Sequence, residues 1–298
     1  MSSSKNDILT TPPKALTFDV FGTVVDWRKT VTSTLIRNAA AKILSSSKSA
    51  GLSPAVRLQL SKYTDQDWGQ FAQEWRNSYK EFVHNFIPGE TEWKDVDTHH
   101  YEGLLELLTK WKLEGLYTKA ETEDLAWSGI ASIRGQIRHR GIHKLGTKFI
   151  TSTLSNGNQS LLRDLDKHGD LGFKKIQSAA DFKAYKRHPS VYKGAANVMG
   201  LRPEDVAMLA AHLSDLKAAR SCGFKTIYVV RKQEEDWKPG QEEYEDAKTV
   251  RLTESLGSFS VFYLISSRVL HLLDMFVSTN RMTLCFQTIF EYEITDSL

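Results

Sequence analysis

The stretch "ALTFDVFGTVVDW" constrains this chain more than any other. Its apolar and β-branched residues read as a buried strand, and the Phe-Gly-Thr after it as a tight turn. Asp19 therefore stands at a strand's C-terminal end, with Gly22 and Thr23 just beyond. Open α/β sheets bind their ligands at that end of their strands.

After this strand the pattern turns helical. Trp68, Phe71, Trp75, Tyr79, Phe82 and Phe86 recur at intervals of three and four, the apolar face of an amphipathic helix, and core packing is the expectation for that stripe. "HYEGLLELLTKW" and "KAETEDLAW" continue the helical pattern. From Lys148 a βα rhythm returns, with strands expected at "KFITSTLS", "KKIQSAA", "DVAMLAA" and "KTIYVV" and helices such as "SVYKGAANVMG" and "DLKAARSCG" between them. Strands alternating with helices imply a parallel sheet covered on both faces. The expected fold is α/β, a Rossmann-like parallel sheet core of residues 15–30 and 140–248 interrupted by a helical insert, 31–139.

At 298 residues and 41% hydrophobic, the chain has material for one large or two modest cores. Its net charge of +3, from 39 basic and 36 acidic residues, predicts neither a nucleic-acid nor a membrane partner. Cys222 and Cys285 form no paired spacing, which fits a reducing, cytoplasmic setting. Residues 1–14 lack an apolar core and read as a short disordered leader rather than a secretory signal. Near the end, "FSVFYLISSRVLHLLDMFV" is interrupted by Arg268, His271 and Asp274, short of the ~18 uninterrupted apolar residues a span needs. A buried or amphipathic helix is expected there.

The residues just past each expected strand converge on one crevice. They are Asp19 and Thr23, then Ser155 and Asn156, then Lys186, then His212 and Asp215. Each has an ordinary explanation: Thr23 and Ser155 as caps, Asn156 in a turn, Lys186 solvated, Asp215 at an N-cap. Together, two carboxylates, a lysine and hydroxyl or amide donors are what covalent catalysis by aspartate requires.

These segments resemble the haloacid dehalogenase superfamily and, within it, the type II (S)-2-haloacid dehalogenases. "FDVFGTVVDW" resembles the first motif, "TSTLSNGN" the second, "AYK" the lysine motif and "AAHLSDLKAARSCGFKT" the fourth, over residues 15–127 and 141–247. The resemblance implies that the insert is a cap domain and that Asp19 is the nucleophile toward a small 2-haloacid. Lys186 then offsets its charge, and Thr23, Ser155 and Asn156 donate to the carboxylates. Asp215 orients Lys186 or the hydrolytic water, and Arg76, in "QEWRNSYKEF", receives the departing halide. Superfamily phosphatases usually carry an aspartate two positions after the nucleophile. Phe21 stands there, and halide, a weak base, needs no general acid. No cofactor is expected, although Asp19 and Asp215 could hold Mg2+ weakly, and a homodimer stays open. The competing readings are a Mg-dependent phosphatase of the same superfamily and a catalytically impaired product.

The chain departs from the family pattern in four places. Ala210, Ala211 and His212 replace Ser-Ser-Asn, which makes His212 either a base or donor for water or a structural histidine. Lys186 is followed by Arg-His-Pro rather than Pro-x-Pro, a change able to move the lysine. Residues 129–140 do not read as the family's join. A shifted reading frame over Gly129 to Ile137 yields His-Arg-Leu-Asp-Pro-Trp-Pro-Asp, so an out-of-frame segment is expected there. Residues 249–298 form an atypical tail. Since every valine codon begins with GT, read-through of an intron near Val250 is one source for it and a lineage-specific extension the other.

Overall fold

A computed structural model describes residues 12–44, 51–127 and 140–249. The chain begins with β1 (Ala15–Phe18) and passes through five helices: α1 (Trp27–Leu44), α2 (Pro54–Leu60), α3 (Asp65–Asn85), α4 (Val96–Lys110) and α5 (Lys119–Trp127). It continues through α6 (Arg140–Gly146), β2 (Ile150–Thr153), α7 (Gln159–Gly169), α8 (Pro189–Val198), β3 (Val206–Ala210), α9 (Leu213–Ser221), β4 (Lys225–Tyr228) and α10 (Glu242–Thr249). The sheet is parallel with strand order β2-β1-β3-β4. Ala15 aligns with both Ile150 and Val206, so the C-terminal ends of β1, β2 and β3 finish level and side by side.

β1 and β3 are buried along their whole length, as central parallel strands with helices on both faces must be. Alternation along each strand divides the side chains between two cores. Ala15, Met208 and Ala210 join Tyr192, Ala195, Leu216 and Phe224 on one face. Leu16, Phe18, Ala207 and Leu209 join Ile142, Leu161 and Leu165 on the other. The third core is built mainly from helices, running from Trp27, Val31 and Leu35 through Trp68, Phe71 and Trp75 to Leu104, Leu108 and Leu125, with Leu113 and Leu116 added from the loop between α4 and α5.

Local signals explain where these helices begin. Thr64 and Asp67 form a reciprocal capping box before α3, Asp95 Oδ1 accepts from Thr98 N at 2.8 Å before α4, and Ser53 caps α2 with Pro54 at its first position. Helix α1 starts at Trp27, a turn before the boundary expected at residue 31.

"KKIQSAA" is the one expected strand that does not form. It meets β2 only at isolated bridges, Ser152 to Lys175 and Ser155 to Ser178, and then turns into a 3-10 helix over Ala179–Phe182. The Thr153 hydroxyl intervenes, donating to Gln177 O at 3.0 Å and accepting from Gln177 N at 2.8 Å, so a side chain takes the place of ladder bonds. Among the described residues no helix is long and apolar enough to cross a membrane. The segment expected to be out of frame, nearly all of the atypical tail with its apolar stretch, Cys285 and most of the leader lie outside the described residues.

Candidate active site

Asp19 leaves β1 with its N–H bonded to Leu209 O at 2.9 Å, which fixes it to the end of β3. The chain then closes a turn on itself, with Val24 N and Val25 N donating to Val20 O at 2.8 and 3.0 Å and Gly22 N to Val25 O at 2.8 Å. Gly22 has φ +87°, a conformation glycine adopts without strain. The turn returns Thr23 to Asp19. Its hydroxyl accepts from Ala211 N at 2.9 Å and donates to Asp19 Oδ2 at 2.7 Å, so its proton has one direction to point.

Lys186 reaches the other carboxylate oxygen. Its Nζ donates to Asp19 Oδ1 and to Asp215 Oδ2, both at 2.7 Å, with all three residues more than nine-tenths buried. Asp215 lies in the first turn of α9 rather than at its N-cap, and its Oδ1 accepts from Tyr192 OH at 2.6 Å. The Arg-His-Pro after Lys186 does not draw the lysine away. His188 becomes the N-cap of α8, and Asn156 Oδ1 accepts from the Lys186 backbone N at 2.8 Å.

These contacts set the charges. Burial alone would raise the Asp19 carboxyl, but the Lys186 charge and the His212 hydrogen bond outweigh it and hold it well below the ordinary carboxylate range. Burial would likewise depress Lys186, yet Asp19 and Asp215 keep its ammonium charged. His212 Nδ1 lies 3.1 Å from Asp19 Oδ2, and Nε2 lies 3.4 Å from Glu234 Oε2 without hydrogen-bond alignment. Burial disfavours the imidazolium, but the two carboxylates prevail and raise its pKa to about 9. Both carboxylates thus favour the charged form of His212 at neutral pH, which carries a proton on each ring nitrogen.

Adjoining this cluster is a cleft of about 520 Å³, its open mouth included, walled by Phe21, Trp27, Trp75, Val96 and Leu161. Arg76 lines it half-buried, its guanidinium 5.1 Å from the Trp27 ring centre and 4.8 Å from that of Tyr79. His100 lines it too, with Tyr79 stacked on it at 5.4 Å between centres, and burial, with His99 and Arg76 nearby, depresses its pKa to about 3. Arg76 Nε and His100 Nδ1 are both buried without a hydrogen-bond partner in the protein.

Asp19, Thr23, Lys186, His212 and Asp215 thus meet directly. Asn156 joins through the Lys186 backbone and through Tyr79 OH, which accepts from its Nδ2 at 3.0 Å. Ser155 makes no bond to these carboxylates, since its Oγ accepts from Gly157 N at 3.2 Å within its own turn. Sequence reasoning missed Tyr79, which the apolar stripe assigned to packing, and Tyr192, Trp27 and Glu234. Glu234 had a signal: extending the strand-end rule to the loop after β4 reaches "RKQEEDW".

The chain is similar to proteins already known. Over 85 residues it is 33% identical to (S)-2-haloacid dehalogenase 1 of Pseudomonas sp. (strain CBS-3), and over 85 residues 33% identical to (S)-2-haloacid dehalogenase 4A of Burkholderia cepacia. Each match covers 28% of this chain and only 37% of the relative's own length. Among solved structures, the L-2-haloacid dehalogenase PA0810 superposes with a TM-score of 0.60 at 28% identity, over 77% of this chain and 89% of that one. The defluorinating L-2-haloacid dehalogenase Rha0230 gives 0.63 at 27% identity, over 80% and 89%. The sequence profile of the haloacid dehalogenase-like hydrolases matches residues 13–223, most of the chain, which therefore belongs to that family.

Proposed function

We propose that the protein is a hydrolytic dehalogenase of (S)-2-haloalkanoic acids, working through an ester on Asp19. The observation that carries this reading is the pairing of a buried, ionised Asp19 with Phe21, an apolar wall where a phosphatase would keep its general acid. An ionised carboxylate needs no base to attack C2. The new bond is Asp19 oxygen to C2, the bond broken is C2 to halogen, and the electron pair leaves on halide. Arg76, with its unpartnered Nε in an aromatic cleft, receives the halide, and helices α1–α5 act as the cap that carries it.

Water then adds to the ester carbonyl, the acyl–oxygen bond breaks, the 2-hydroxy acid leaves and one proton is released. With Oδ1 bonded to C2, the carbonyl oxygen on which charge develops is Oδ2, and the donors that face it are Thr23 Oγ1 and His212 Nδ1, while Lys186 Nζ stands at the ester oxygen. His212 therefore serves as a charged donor in place of the family's asparagine. The donor set does not suit magnesium. Lys186 Nζ already bridges Asp19 and Asp215, and Tyr192 occupies the other Asp215 oxygen.

Halide release from (S)-2-chloropropionate in EDTA, with Asp19→Asn beside the parent, tests the proposal. Release by the parent alone is the expected result. No release from a cooperatively folded parent refutes it.

A further inference from the structure

The loop after β4 grips His212 more closely than a surface loop has reason to. Arg231 Nε donates to Thr23 O at 3.0 Å, anchoring the loop to the Asp19 turn. Two consecutive glutamates then take two consecutive residues. Glu234 Oε2 faces His212 Nε2 at 3.4 Å, and Glu235 Oε2 accepts from Leu213 N at 2.6 Å. Glu234 is 8% exposed, and its Oε2 also accepts from Trp27 Nε1 at 3.1 Å, across 207 residues of chain. Gly22 completes the enclosure, because a Cβ there would overlap the Glu234 carboxylate.

We propose that Glu234 is a positioning residue for ester hydrolysis, acting through His212, with Trp27 holding its carboxylate in place. The inference rests on the dehalogenase reading. Imidazole can rotate about its Cβ–Cγ bond and exchange a donor for an acceptor, whereas the amide of an asparagine always keeps a donor. A carboxylate 3.4 Å from Nε2 opposes that exchange, because its charge favours the doubly protonated ring, the form that keeps Nδ1–H directed at Asp19 Oδ2. When Asp19 becomes an ester it loses its charge and its hold on the ring. Glu234 keeps its own, so Nδ1–H is still in place when water adds and the carbonyl oxygen turns anionic. Glu234 is thus needed only because residue 212 is histidine. The charged groups facing the ring are Asp19, Glu234 and Arg76, and the last opposes the imidazolium.

The test compares the full-length parent with Glu234→Gln, His212→Asn and the double variant. Glu234→Gln is expected to lower steady-state kcat by about tenfold while KM and the first-turnover halide burst stay within about twofold. In the His212→Asn background the same substitution should change kcat by less than about twofold. Imidazole NMR, with His212→Asn identifying the signal, should find His212 titrating about one unit lower in Glu234→Gln. Trp27→Phe, which removes the indole N–H together with the five-membered ring that carries it, should move that titration the same way and guards against a Glu234 variant that fails to fold. Equal kcat losses in both backgrounds overturn the inference, as does an unmoved His212 titration. A parent that releases no halide overturns instead the reading on which it rests.

Discussion

Around Asp19 the polar side chains answer one another, with Thr23, Lys186, Asp215 and Tyr192 closing a chain of hydrogen bonds between 2.6 and 2.7 Å. The adjoining cleft is built the opposite way. Its walls are aromatic, and Arg76 Nε and His100 Nδ1 have no protein partner. The contrast separates two tasks. Orienting a nucleophile requires every competing arrangement to be unfavourable, and a saturated network in low dielectric achieves that. Recognition requires donors that the protein has left unspent, and an apolar wall that strengthens whatever they bind. One region spends its polar groups on itself, with His212 Nε2 the exception, and the other keeps two in reserve for the substrate proposed above.

Substitutions that break this division should do so unequally. Asp19→Asn removes the nucleophile itself, and halide release should fall by at least about 10⁴-fold in a steady-state assay. Lys186→Met leaves two buried carboxylates facing each other, so urea unfolding should register a loss of about 3–5 kcal/mol together with lost activity. Arg76→Ala belongs to the cleft. It should cost about 10²-fold or more in halide release while leaving the unfolding midpoint nearly unchanged, and a large stability loss would show the two regions to be one.

The pH dependence of folding sharpens the comparison further. His212 has its pKa raised from 6.5 to about 9, so its stabilising contribution is full below the unfolded value and is lost as pH rises through the folded one. Between about pH 6.5 and 9 the parent should lose stability relative to His212→Asn. His100, its pKa depressed to about 3, stays neutral in the fold throughout that window; it adds stability as pH rises through its unfolded value of 6.5 and nothing further toward pH 9. The smallest effect is expected far from both regions. Thr64→Ala at the α3 capping box should cost about 1 kcal/mol and leave halide release unaltered.

What the sequence made legible follows the range of the interactions. The strand ends were readable because an apolar run and a turn residue lie next to each other in the chain, and the nearly level ends of β1, β2 and β3 then bring Asp19, Asn156, His212 and Asp215 together, while Lys186 is held from its own loop through Asn156. "KKIQSAA" misled because its composition suits a strand, while the bonds that decide its shape come from the Thr153 hydroxyl on another segment. Tyr79 was counted by its ring, since helical spacing registers apolar bodies and not the hydroxyl that reaches Asn156. Glu234 was passed over altogether. Its burial depends on Trp27 and on the missing side chain of Gly22, and neither can be read from the glutamate's own neighbours.

The turn over Val20–Val25 has a consequence for how such proteins diversify. It closes with its own hydrogen bonds before α1 begins, so the path of the chain around Asp19 is set before the first inserted helix starts. Helices α1–α5 can then be lengthened, shortened or exchanged between that turn and β2 while the segments that carry Asp19, Lys186, His212 and Asp215 keep their places.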